Sequence, residues 1–169
     1  HQEARRQRQM CIRDRPQLDI NLWPAQRKAK AYRNYALEYI RNSLPLLIAL
    51  LGPEQARYIG RISALQIGMQ CYHDIRRQLD INDNDAAGFL QMMQALLNAS
   101  GDQVELNGNQ LRLTHWRLFD GLLPVHVATF EAWNTVWEGL LSVHNRFLKL
   151  NGQIQYDSNL DTVISWEIS

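Results

Sequence analysis

The stretch "FEAWNTVWEGLLSVHNR", Phe130 to Arg146, carries two tryptophans, two glutamates, a histidine and two asparagines in barely five helical turns. Glu131, Asn134 or Thr135, Glu138, Ser142 and Asn145 recur at three and four spacing and form one row along such a helix. Beside it, His126, Phe130, Trp133, Trp137, Leu140, His144 and Phe147 form an aromatic stripe. Carboxylates at the rim of apolar rings lose hydration, which raises their pKa toward the range a general acid or base needs. On this reading Glu138 is the catalytic acid or base with His144, and Trp133 and Trp137 wall a pocket. Asn145, Arg117 and His115 bind the polar groups of a ligand there, since an arginine fork matches a carboxylate. The competing reading makes the stripe a core face, the glutamate row a solvated face and the His115 strand a surface strand.

Other constellations are weaker. His126 and His144 lie eighteen residues apart, about 27 Å along a helix, too far to share a metal, and no metal site or cofactor is expected. Cys71, His73 and Asp74 diverge around a helix by about 100° per residue and make no triad, so Cys71 reads as a packed core thiol. Walker A, GxGxxG, HExxH, GxSxG and EF-hand patterns are absent.

These side chains need a scaffold, and the periodicity supplies one. Pro24 opens a helix to about Ser43, with Pro45 kinking or restarting it. A second helix, about Glu54 to Leu79, carries Ala56, Gly60, Ala64 and Gly68 at every fourth position, a stripe that admits a close neighbouring backbone. Asp83, Asn84 and Asp85 are N-cap candidates for a third helix that Gly101 closes. From Gln103 the period falls to two, with Asn107-Gly108 predicting a type I′ hairpin turn. Leu111, Leu113 and His115 share one face of the second strand, and Arg112, Thr114, Trp116 and Leu118 the other. After Pro124 the long helix runs to about Leu148, and a second hairpin turns at Ser158-Asn159. The expected class is α+β: three N-terminal helices, a hairpin, a long helix and a C-terminal hairpin, forming a small antiparallel sheet covered by helices.

Bulk properties bound the partners. At 169 residues, 46% hydrophobic and 21% charged, the chain suits one domain over residues 16–169. Residues 1–15 hold five arginines against Glu3 and Asp14, net +3, leaving 13 basic and 15 acidic residues, net −2. A slightly acidic body lacks a broad phosphate-binding surface, so nucleic acid is not an expected partner. Within the arm, "MCIRDR" resembles a peptide produced when sequencing-adapter bases are translated in metagenomic reads. A start near Pro16 is one reading; a disordered basic tail or a docking helix are the others. Two cysteines without a framework, no signal-peptide core and no 20-residue apolar run predict a soluble cytoplasmic protein without membrane contact.

"LLGPEQARYIGR" before a long helix, "FEAWNTVWEGLLSVHNR", and a last hairpin ending "VISWEIS" resemble the bacterial L-2-amino-thiazoline-4-carboxylic acid hydrolase-like family. A more distant resemblance is to 4-vinyl reductase-type small-molecule-binding domains. The likeness spans roughly Leu51 to Ile168, in element order more than in residues. It implies a helix-lined cavity for a small organic molecule. The cysteines of those families near residues 120–131 and in the final hairpin are missing from "SNLDTVISWEIS", so no catalytic residue is carried over. The expected function is binding of a small carboxylate or heterocycle, with hydrolase-like activity. The alternative is a non-catalytic accessory subunit or interaction module, a homo-oligomer or partner complex formed through the first helix, where Tyr32, Tyr35 and Tyr39 suit an interface.

Overall fold

The computed structural model describes residues 23–122, 124–156 and 162–169. The basic arm and the Ser158-Asn159 turn lie outside the described residues. The chain divides into two compact units, 1–35 and 36–169. The boundary falls within helix α1, Ala25–Leu51. The first unit is described only over residues 23–35, where Tyr32 and Tyr35 are exposed.

The second unit has the expected α+β order. After α1 come α2 (Pro53–Gln78), α3 (Ala86–Ser100), β1 (Gln103–Asn107) and β2 (Gln110–His115). A 3-10 turn at Arg117–Phe119, α4 (Val127–His144), β3 (Leu150–Tyr156) and β4 (Thr162–Ile168) complete it. The strands form one antiparallel sheet in the order β1-β2-β4-β3. One face is apolar, with Leu111, Leu113, Ile164, Trp166 and Ile168 buried, and the other carries exposed Glu105, Arg112, Gln153 and Gln155. This alternation is what a sheet covered on one side requires. No helix among the described residues is long and apolar enough to cross a membrane.

Local chemistry sets the boundaries, with three departures from expectation. Pro45 does not break α1, which continues to Leu51. Gly52, at φ +79°, then separates it from α2, with Pro53 at the first position, where its missing N–H is unneeded. Asp85 caps α3 by accepting the Gly88 N–H at 2.8 Å, and Gly101 closes it at φ +93°. In the first hairpin Asn107 pairs with Gln110, so the turn residues are Gly108 and Asn109, one place later than predicted. Only Gly108 has positive φ there, the requirement of a type II′ turn. Finally, β2 stops at His115 and the chain bends into the 3-10 turn, which swings Trp116 and Leu118 into the core that strand alternation would have denied them.

Helix α4 is the middle layer, between the sheet and α2. Its neighbour α2 runs parallel to it at a constant sequence offset: a Cβ on Gly60 would sit 2.6 Å from that of Ala132, and one on Gly68 2.8 Å from the Leu140 nitrogen. A Cβ on Gly68 would also strike the Val136 carbonyl, and one on Gly139 the Leu65 carbonyl. The stripe of small residues therefore serves a backbone-to-backbone crossing. Cys71 does not extend that seam. It is exposed, and Tyr72 is the buried residue of that turn.

Candidate functional site

Because α4 is covered on both sides, part of its polar row is core: Asn134 and Thr135 are buried as fully as Trp137, while Glu131, Glu138 and Asn145 stay half-exposed and Ser142 exposed. The indoles interlock. Trp133 stands 5.9 Å from Trp137 and 6.1 Å from Trp166, and Trp116 stands 5.2 Å from Trp133, all within ordinary ring-packing range. Trp166 donates its indole N–H to Asn134 Oδ1 at 2.6 Å, a polar pair sealed between α4 and the sheet. A Cβ on Gly152 would lie 2.8 Å from that same oxygen, so glycine leaves the room for it. The indole N–H groups of Trp116 and Trp137 are buried without a partner.

The seven proposed site residues do not converge. Glu138 is half-exposed and faces Arg61 at 3.6 Å, while Glu131 binds Arg57 in the same α2–α4 cleft edge. His144 lies six residues beyond Glu138, which rotates it by about 240° onto another side of the helix. Both of its ring nitrogens are engaged: Nδ1 is 3.1 Å from Tyr72 Oη and Nε2 is 2.9 Å from the Asp85 carbonyl. A carbonyl only accepts, so Nε2 carries the proton and Nδ1 accepts from the tyrosine. Tyr72 Oη in turn accepts from Arg76, whose other donors hold the Ile81 and Asn82 carbonyls. Asn145 donates to the Asn84 carbonyl and accepts the Phe147 N–H. His144, Asn145 and Arg76 thus staple the 79–85 loop to the ends of α2 and α4. Sequence reasoning does not single out Tyr72 and Arg76 as partners, although their four-residue spacing lies beside His73, which makes no triad.

Arg117 lies at the opposite end of α3, donating to the Ser100 carbonyl, with His115 half-buried nearby. The Arg117 N–H binds Asp102 Oδ1 at 2.8 Å, and Asp102 is only 8% exposed. Desolvation pushes the Asp102 carboxyl up from 3.8 to about 6, against the lowering effects of the Arg117 N–H and the nearby His115 and Arg117 charges. A raised carboxyl keeps its proton in the folded chain at a pH where the unfolded chain has lost it. Stability from this group is therefore full below about pH 4 and declines as pH rises to about 6, by at most about 3 kcal/mol. Asp102→Asn keeps the acceptor and removes the titration. Urea melts from pH 4 to 7 should show a flatter profile than wild type and a gain of about 1–2 kcal/mol at pH 7.

Among the described residues, one cleft of about 420 Å³ is lined by His73, Arg76, Arg77, Asp80, Ile81 and Asn82. Another, of about 230 Å³, lies among Pro45, Ile48, Leu122, Pro124, Val125, His126 and Thr129. No group of three or more metal-ligating side chains occurs among the described residues.

A larger feature is the outward side of α2. Tyr58, Ile59, Ile62, Leu65 and Met69 are 36–66% exposed and fall within an arc of about 120°, opposite the glycine seam. Leu46, Leu50 and Leu51 at the end of α1 are exposed as well. From Tyr58 to His73 the only formal charge is Arg61, which faces Glu138. No protein-family model, curated protein or solved structure matches this chain.

Proposed function

We propose that this protein is a non-catalytic interaction module whose α2 helix docks through its outward face. The observation that carries this reading is an apolar stripe on α2 opposite the side packed on α4, which no described residue covers. Exposed apolar patches beyond a few hundred Å² mark contact sites. The exposed parts of the five side chains amount to on the order of 500 Å². The test is oxidation of Met69 by mild peroxide, in dilute purified protein and in extract of the source cells. The expected result is rapid oxidation when dilute and strong protection in the extract. Equally rapid oxidation in both would reject the reading.

A second reading, ligand binding, draws on the 230 Å³ cleft. Thr129 Oγ1, at its edge, is buried without a hydrogen-bond partner. His126 Nδ1 accepts the Ala128 N–H at 3.1 Å, leaving Nε2 as the donor of the neutral ring. The volume falls below the roughly 300 Å³ of common ligand pockets, so it suits only a fragment-sized carboxylate or heterocycle. A melting screen with such compounds, expecting a shift that Thr129→Val abolishes, tests it.

A further inference from the structure

Resting on the docking reading above, we infer that the occupant of the outward α2 face is a second copy of this chain, paired antiparallel about a two-fold axis between Ile62 and Leu65. The spacing of the face is the first support. Tyr58, Ile62, Leu65 and Met69 alternate by four and three residues, the seam of a two-helix coiled coil. An axis at its centre sets Ile62 of each copy against Leu65 of the other, and Tyr58 against Met69. That arrangement matches a long aromatic ring with a flexible thioether, a favourable pairing. A parallel pair would stack tyrosine on tyrosine and methionine on methionine.

Charge is the second support. The seam itself carries none, so a charged partner would bury its charges here without a counter-ion, whereas an identical face brings none. Neither end of α2 is a patch of one sign, since Glu54 is paired with Arg57 and Arg77 with Asp74, so the direction is set by the helix dipoles. An antiparallel copy opposes them favourably, and a parallel copy would align them.

Area is the third. The α2 face exposes on the order of 500 Å² of side chain per copy, so two copies would bury on the order of 1,000 Å² in total, the size from which a specific interface begins. A closed two-fold contact of this kind is self-complementary and does not propagate.

Sedimentation velocity of the full chain over a concentration series tests the inference. Wild type should sediment as a dimer of twice 19.7 kDa. Ile62→Glu and Leu65→Lys should each be folded monomers by circular dichroism, because both positions are exposed in the protomer, with association weakened on the order of 100-fold or more. An equimolar mixture of the two should recover the dimer, since antiparallel pairing sets the new glutamate against the new lysine and leaves Leu65 on Ile62. A wild-type monomer at every concentration overturns the inference, as does a dimer that neither substitution affects. A mixture that stays monomeric overturns the antiparallel register. A monomeric purified protein whose Met69 is nevertheless protected in source extract would sink only the copy pairing; an unprotected Met69 would sink the docking reading as well.

Discussion

Gly68→Ala is expected to destabilise the folded chain by about 3–4 kcal/mol, and Gly68→Val to prevent folding. Helix propensity alone favours alanine over glycine by about 1 kcal/mol, so the sign of the effect distinguishes the two influences. Packing wins here because the added methyl would meet backbone, the Val136 carbonyl and the Leu140 nitrogen, and backbone cannot rotate away as a side-chain tip can. The two helices would have to separate along their whole parallel course. Gly60→Ala should be milder, since it meets mainly the Ala132 methyl. Urea denaturation of the two variants measures both effects. A stabilised Gly68→Ala would mean that α2 and α4 do not cross at this distance.

The second large effect lies at Asn134. Asn134→Ala removes the acceptor of the Trp166 indole N–H and opens a cavity in a ring cluster that is already full. An orphaned buried donor costs about 1–3 kcal/mol, and the lost volume adds to it, for a total of about 3 kcal/mol. Removing both polar partners relieves the desolvation part of that loss. Asn134→Leu with Trp166→Phe should therefore be more stable than Asn134→Ala, by about 1 kcal/mol or more. Thermal melts of the set check the order. If the double variant were the least stable, the hydrogen bond would not be the cause.

Much of the scaffold could be read from residue order. Asp85 and Gly101 mark the ends of α3 because capping is local, and the every-fourth small residues of α2 announced a close helix crossing before any partner was known. The alternation in β4 placed Ile164, Trp166 and Ile168 in the core. What failed depended on layers. A helix with one buried face shows a stripe and a wet row, but α4 is buried on two sides, so the polar row of Asn134 and Thr135 became core. The same blindness affected His144. Its place on the aromatic stripe was legible, but its partners Tyr72 and the Asp85 carbonyl are 72 and 59 residues away, and no spacing rule reports them. Strand alternation sets Trp116 on the face opposite Leu111 and Leu113, because the end of β2, one residue earlier, has no strong sequence mark.

The outward face of α2 was hidden for a related reason. Its tyrosine, isoleucine, leucine and methionine look like core residues in sequence, and only the placement of α4 on the opposite side leaves them in water. In sequence the tyrosines of α1, Tyr32, Tyr35 and Tyr39, stand out more as an interface; they are exposed but sit among charged neighbours.

The central claim is that this face is covered when the protein works. The most direct measurement is the native mass of the chain in extract of its source cells, by gel filtration with detection of wild type and of Ile62→Glu. The account predicts a wild-type assembly of at least twice 19.7 kDa that falls to the monomer mass in the variant. Wild type already eluting as a monomer, or an assembly that Ile62→Glu leaves intact, would contradict it.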